Sequence, residues 1–120
     1  MRRLKLQMQI TADGFAAGPN GELDWMTWNW DEKLKDFVGK LTEPVDTILL
    51  GRKMTDAFIS SWSAVANDPG NPEQTSGKKF IGTPKVVFSK TLIESLWPNS
   101  NTEIANDLLT TVNELKNKDP

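Results

Sequence analysis

The chain of 120 residues contains no cysteine and no histidine. The first absence excludes disulfides, thiolate zinc sites and thiol nucleophiles; the second excludes imidazole bases and the commonest protein ligand for metals. No metal site is expected. Chemistry must therefore come from carboxylates, lysines, hydroxyls, backbone amides or a bound organic cofactor. No apolar run is long enough to span a bilayer, and Met1-Arg2-Arg3-Leu4-Lys5 leads into an alternating segment without the apolar region of a signal peptide, so a cytoplasmic protein without membrane partners is expected. An excess of positive charge is missing too. The net charge is -2 and the pI near 5.1, which gives no general attraction to nucleic acid.

The composition that remains, 38% hydrophobic and 25% charged, is that of an ordinary globular chain, and its length suits one domain over residues 1–120. The pattern of elements predicts an α/β fold with a mostly parallel sheet flanked by helices. Leu4, Leu6, Met8 and Ile10 alternate with Lys5, Gln7 and Gln9, which predicts a strand. Asn29 followed by Glu32 suggests a capping pair, and Leu34, Phe37, Val38 and Leu41 form the apolar stripe of a helix that ends at Glu43-Pro44. Asp46 to Leu50 predicts a second strand. A helix over about Arg52 to Ser60 follows, with Met54, Ala57 and Phe58 as its stripe, and then a polar loop over Ser63 to Gly77. Lys85 to Ser89 predicts a third strand, Asn101 to Ala105 a weak fourth, and Asp107 caps a helix in which Leu108, Val112 and Leu115 share a face.

Two strand ends carry candidate anion contacts. At Leu50-Gly51-Arg52-Lys53-Met54-Thr55, a glycine lets a ligand approach the backbone where a helix begins with free amides and two cations. At Ser89-Lys90-Thr91, two hydroxyls and an ammonium occupy the same kind of position. Each has an ordinary alternative: the first is a plain turn, and Lys90 is a solvated turn residue. Asp13, in Thr11-Ala12-Asp13-Gly14-Phe15, is either a turn aspartate bonding local backbone or a carboxylate at a ligand-facing strand end. Trp25, Trp28 and Trp30, three of the five tryptophans, either close the core or wall a pocket for a flat ligand.

Taken along the chain, the Thr11–Phe15, Leu50–Thr55 and Val87–Thr91 turns, with Leu23-Asp24-Trp25-Met26 between the first and the second, resemble in order and approximate spacing the dihydrofolate-reductase-like proteins, and within them the branch related to the C-terminal reductase domain of riboflavin biosynthesis. The resemblance implies hydride transfer from NADPH to a small heterocycle, of the kind performed by 5-amino-6-(5-phosphoribosylamino)uracil reductase. It would put Ala12 beside the nicotinamide and make the loop from Gly14 to Trp25 a mobile cover. Gly51, Arg52, Lys53 and Thr55 would hold the pyrophosphate and adenosine phosphate, and Ser89 and Lys90 the 2'-phosphate. Lys33 stands about where folate-reducing members carry an acid, so dihydrofolate is not the expected substrate; Asp13 or Asp31 could supply a carboxylate, and both also read as turn or capping residues. Trp25 and Asp31 are the candidate substrate-pocket residues. Family members continue into a strand ending in a Gly-Gly pair and further strands, so the resemblance implies a chain incomplete at its C-terminus. The alternatives are a non-catalytic nucleotide-binding remnant and an assembly module completed by a partner chain, with a homodimer among the expected partners.

Overall fold

The computed structural model describes residues 1–26 and 30–119, so Trp28 and Asn29, with their pocket and capping roles, lie outside the described residues. Contacts divide the chain into two compact units, one of residues 3–44 and one of residues 1–2 with 45–120.

In the larger unit the strands are β1 (Ile48–Gly51), β2 (Lys85–Phe88) and β3 (Thr102–Ala105), and the helices are α2 (Arg52–Ala66), α3 (Gln74–Gly82) and α4 (Leu108–Asn117). The sheet order is β1-β2-β3, all parallel, with Gly51 opposite Phe88 and Phe88 opposite Ala105. The α/β fold with a parallel sheet is therefore present, and it agrees with a dihydrofolate-reductase-like arrangement. Leu50, Val86 and Val87 form the buried apolar centre, and β2, flanked on both sides, is the most buried strand.

α2 runs past its expected end at Ser60, to Ala66, and of the expected stripe Phe58 faces inward whereas Met54 and Ala57 do not. Met54 is 61% exposed and Ala57 is exposed, whereas Thr55 is fully buried and Phe58, Ile59, Trp62 and Ala66 continue its face at helical spacing. A polar residue can begin that face because the Thr55 hydroxyl donates to the Gly51 carbonyl at 2.8 Å. The face is carried on by Phe58, Trp62 and Phe80, whose rings contact pairwise with centroids 4.6 to 6.5 Å apart and tie α2 to α3. Part of the expected loop is thus α3. Gly77 does not interrupt that helix; it permits its contact with α2, since a Cβ there would lie 2.8 Å from the Ala66 backbone nitrogen.

Lys85 opens β2 and is 1% exposed. Its ammonium donates to the carbonyls of Ile81 (2.7 Å), Thr83 (2.9 Å) and Ser100 (2.7 Å), which uses all three of its donors. Burial pushes its pKa below the ordinary 10.5. At the other end of the unit, Asp107 caps α4 by accepting from the Thr110 amide at 3.0 Å. Val112 and Leu115 are half-buried, but Leu108 is 60% exposed, so the expected stripe begins one turn later.

In the smaller unit the helix α1 (Glu32–Thr42) forms as expected, with Asp31 as its N-cap accepting from the Leu34 amide at 2.8 Å. Its apolar stripe stays largely outward, Phe37 being 60% exposed. The expected strand over Leu4 to Ile10 is not formed. Alternation gives a segment the capacity for a strand, but a strand exists only as a partner in a ladder, and among the described residues no backbone ladder engages residues 4–10. Leu6 is left 88% exposed.

Candidate functional site at the carboxyl edge of the sheet

Parallel pairing brings the carboxyl ends of all three strands to one edge. Because Gly51 and Phe88 are register partners, Arg52 and Ser89 leave adjacent strand ends, and Ala105-Asn106 leaves the next one. The sequence marked both of the first two ends; the pairing places them side by side.

Gly51 ends β1 and is the N-cap of α2, with φ -73° and ψ 151°, a conformation open to any residue. A Cβ at this position would meet nothing within 4 Å. Neither backbone strain nor packing within the described residues calls for glycine here, and its effect is to leave open space beside the first amides of the helix. Those amides receive no side-chain cap, and the first turn holds no acidic residue. They are donors at the positive end of a 15-residue helix. Arg52 and Lys53 add two cations at the same point, and Lys53 is exposed.

Thr55 sits differently from the resemblance's expectation. Its hydroxyl is buried and engaged with Gly51, so in this structure it braces the turn from behind. At the second strand end, the Ser89 hydroxyl oxygen accepts from the amides of Thr91 (3.2 Å) and Leu92 (3.1 Å), which folds a tight turn with Lys90 exposed on it. Asn106 closes the turn from β3 by donating to the carbonyls of Ser89 at 2.7 Å and Leu92 at 3.3 Å. Sequence reasoning missed Asn106, and nothing local distinguishes it from any polar residue after a strand.

Arg52 has neighbours that were also missed. Its Nη1 lies 3.3 Å from Asp56 Oδ2, and its guanidinium carbon is 5.1 Å from the centroid of the Trp97 ring. Trp97 Nε1 donates to Asp56 Oδ1 at 2.9 Å. That bond, and then the one from Arg52, holds the Asp56 carboxyl below its ordinary pKa of 3.8. The i, i+4 spacing of Arg52 and Asp56 was readable in the sequence; the arrival of Trp97 was not.

The remaining candidates belong to the smaller unit. Ala12 and Asp13 are exposed in a turn closed by the Gly14 amide on the Thr11 carbonyl at 2.9 Å, with Gly14 at φ 92°. Asp13 accepts from the Thr11 hydroxyl, the local bonding of a turn aspartate. Asp31 has the capping role described above. Trp25 is half-buried and donates from Nε1 to the Ala16 carbonyl at 3.1 Å, which fastens the glycine-rich loop to itself. A cleft of about 740 Å³ lies at the opposite, amino end of β2 and β3, lined in part by Pro84, Asn99, Thr102 and Glu103. Lys85 and Trp97 also line it, but the Lys85 donors are all used by backbone carbonyls and the cleft holds none of Arg52, Lys53 and Lys90, so the carboxyl edge is the better candidate on chemical grounds.

Residues 2–119 match the family model described as the RibD C-terminal domain. The chain belongs to that family. RibD C-terminal domains are reductase-like domains of the riboflavin pathway. A protein of Bacillus subtilis (strain 168) called "Uncharacterized protein YyaP" is 36% identical over 115 residues. The match covers 96% of this chain and 57% of that relative, so the chain spans somewhat more than half of the relative's length. No described helix is long and apolar enough to cross a membrane.

Proposed function

We propose that this RibD C-terminal-type chain is the nucleotide-binding part of an NADPH-dependent reductase acting on a small heterocycle, with a 5-amino-6-(5-phosphoribosylamino)uracil-like compound as its substrate class. The observation that carries the reading is the open space at Gly51, beside uncapped helix amides and two cations, next to the Ser89-Lys90 turn. A phosphate group fits that chemistry, because among the described residues no atom lies within 4 Å of where a Gly51 Cβ would stand and no side chain caps the helix amides beside it. The Gly51–Lys53 segment binds the pyrophosphate through backbone amides and cations. Lys90, presented by the Ser89 turn, binds the 2'-phosphate and so selects NADPH over NADH. When bound, NADPH supplies the hydride. Asp13 is the carboxylate we assign to proton handling, and Trp25 and Asp31 to the substrate side.

Titration of the 120-residue chain with NADPH and NADH at low and high salt tests this reading. Tighter binding of NADPH, weakened roughly tenfold by Arg52→Ala and reduced to NADH-like affinity by Lys90→Ala, is the expected result. Equal affinity for both nucleotides would remove Lys90 from the assignment.

A second reading, an assembly module completed by a second copy or a partner chain, is favoured by the exposure of the apolar side chains Leu4, Leu6, Met8 and Ile10 in a segment that has no ladder partner among the described residues. Sedimentation at several concentrations separates the two: a mass that rises with concentration supports assembly, and a constant monomer mass removes it.

A further inference from the structure

We propose that Trp97 and Asp56 are positioning residues which hold the Arg52 guanidinium ready for a phosphate ligand at the carboxyl edge; this rests on the nucleotide-binding reading above. The three side chains form a closed set in which each touches the other two. The two oxygens of Asp56 are divided between the partners, Oδ2 to Arg52 and Oδ1 to the Trp97 indole N-H. The indole face is then within cation-π reach of the guanidinium.

An exposed i, i+4 ion pair would ordinarily contribute little and leave both side chains free to wander. What distinguishes this one is the third member. Trp97 arrives from the connection after β2, 41 residues beyond Asp56, and fixes the carboxylate from outside the helix. Arg52 is thereby restrained on one side by a carboxylate and on one face by a ring. Among the described residues its other N-H groups make no hydrogen bond, so donors remain for a ligand. An arginine already restrained loses less conformational freedom when an anion docks, which raises affinity without a new contact.

The test is a double-mutant cycle on the full chain, reading NADPH affinity by calorimetry, with unfolding midpoints recorded for each variant. Trp97→Leu is expected to weaken NADPH binding about three- to fivefold, and Trp97→Phe, which keeps a ring face, to restore most of that loss. In the Arg52→Ala background, Trp97→Leu is expected to have no further effect. The same loss in both backgrounds, or no loss in either, would overturn the proposal. Wild-type chain that binds inorganic pyrophosphate but not NADPH would remove the cofactor reading alone, and the cycle measured with pyrophosphate would then decide the clamp by the same criterion. Binding of neither would overturn both. Should Trp97→Leu fail to fold, the NMR order parameter of the Arg52 Nε-H bond in the wild-type chain decides: a restrained value supports the clamp, and one as low as that of a freely moving surface arginine refutes it.

Discussion

Lys85 opens β2 and Lys90 lies just beyond its far end, and the protein treats the two ammonium groups in opposite ways. Lys85 is buried, and all three of its donors are satisfied by carbonyls of its own chain. Lys90 is exposed on a turn built by its neighbours Ser89 and Asn106. One end of the strand has closed its chemistry inward, and the other holds its chemistry outward on a braced turn. A cation with every donor used by the fold is a structural part; a cation held out by a well-made turn is available to a ligand. The same division runs through the glycines, since Gly77 is filled against α2 and Gly51 faces open space.

The comparison breaks most visibly at Lys85. Lys85→Met leaves the carbonyls of Ile81, Thr83 and Ser100 without this donor in a buried setting, and a loss of about 3 kcal/mol or more is expected in urea unfolding. An unchanged midpoint would mean that the amino end is as open as the carboxyl end. The glycine pair comes next. Gly77→Ala forces a Cβ against the Ala66 nitrogen and should cost about 1–3 kcal/mol, whereas Gly51→Ala should stay within about 1 kcal/mol of wild type while lowering NADPH affinity. Matching stability losses at the two glycines would erase the distinction. Lys90→Ala should leave unfolding within about 0.5 kcal/mol and act only on the nucleotide titration.

The smallest effect concerns Asp56. Its folded pKa lies below 3.8, so its contribution is fully present above that value and is lost as pH falls through the lowered folded pKa. Thermal scans of wild type and Asp56→Asn should differ at neutral pH by a constant small amount that shrinks only in the acid range below 3.8. A difference that vanishes near neutrality instead would assign the titration to another group.

What could be read from the sequence was what depends on near neighbours. The break from Leu50 to Arg52 is a local event, and β1 and α2 meet there. Asp107 before Leu108 signalled a cap and made one. The strand-to-helix turn at Gly51 to Lys53 was legible for the same reason, because strand end and helix start are adjacent in sequence. Illegible were the parts whose meaning arrives from afar. Lys85 reads as a solvated strand residue until Ser100 supplies its third acceptor, Trp97 is an isolated aromatic until it meets Asp56, and Gly77 looks like a helix breaker until α2 lies against it. Thr55 misled for a different reason: its polarity pointed to a ligand, but its proton is used one turn back on Gly51. Leu4 to Ile10 shows the converse, a strong local pattern for which no ladder partner is described.

The buried ammonium also bears on the order of assembly. Two of its acceptors, Ile81 and Thr83, precede Lys85 closely, whereas the third lies 15 residues downstream. A growing or refolding chain that packs β2 before residue 100 has come into place must bury a charged group with a donor unmatched. Closure of the segment between β2 and β3 is therefore a condition for completing the core around this charge.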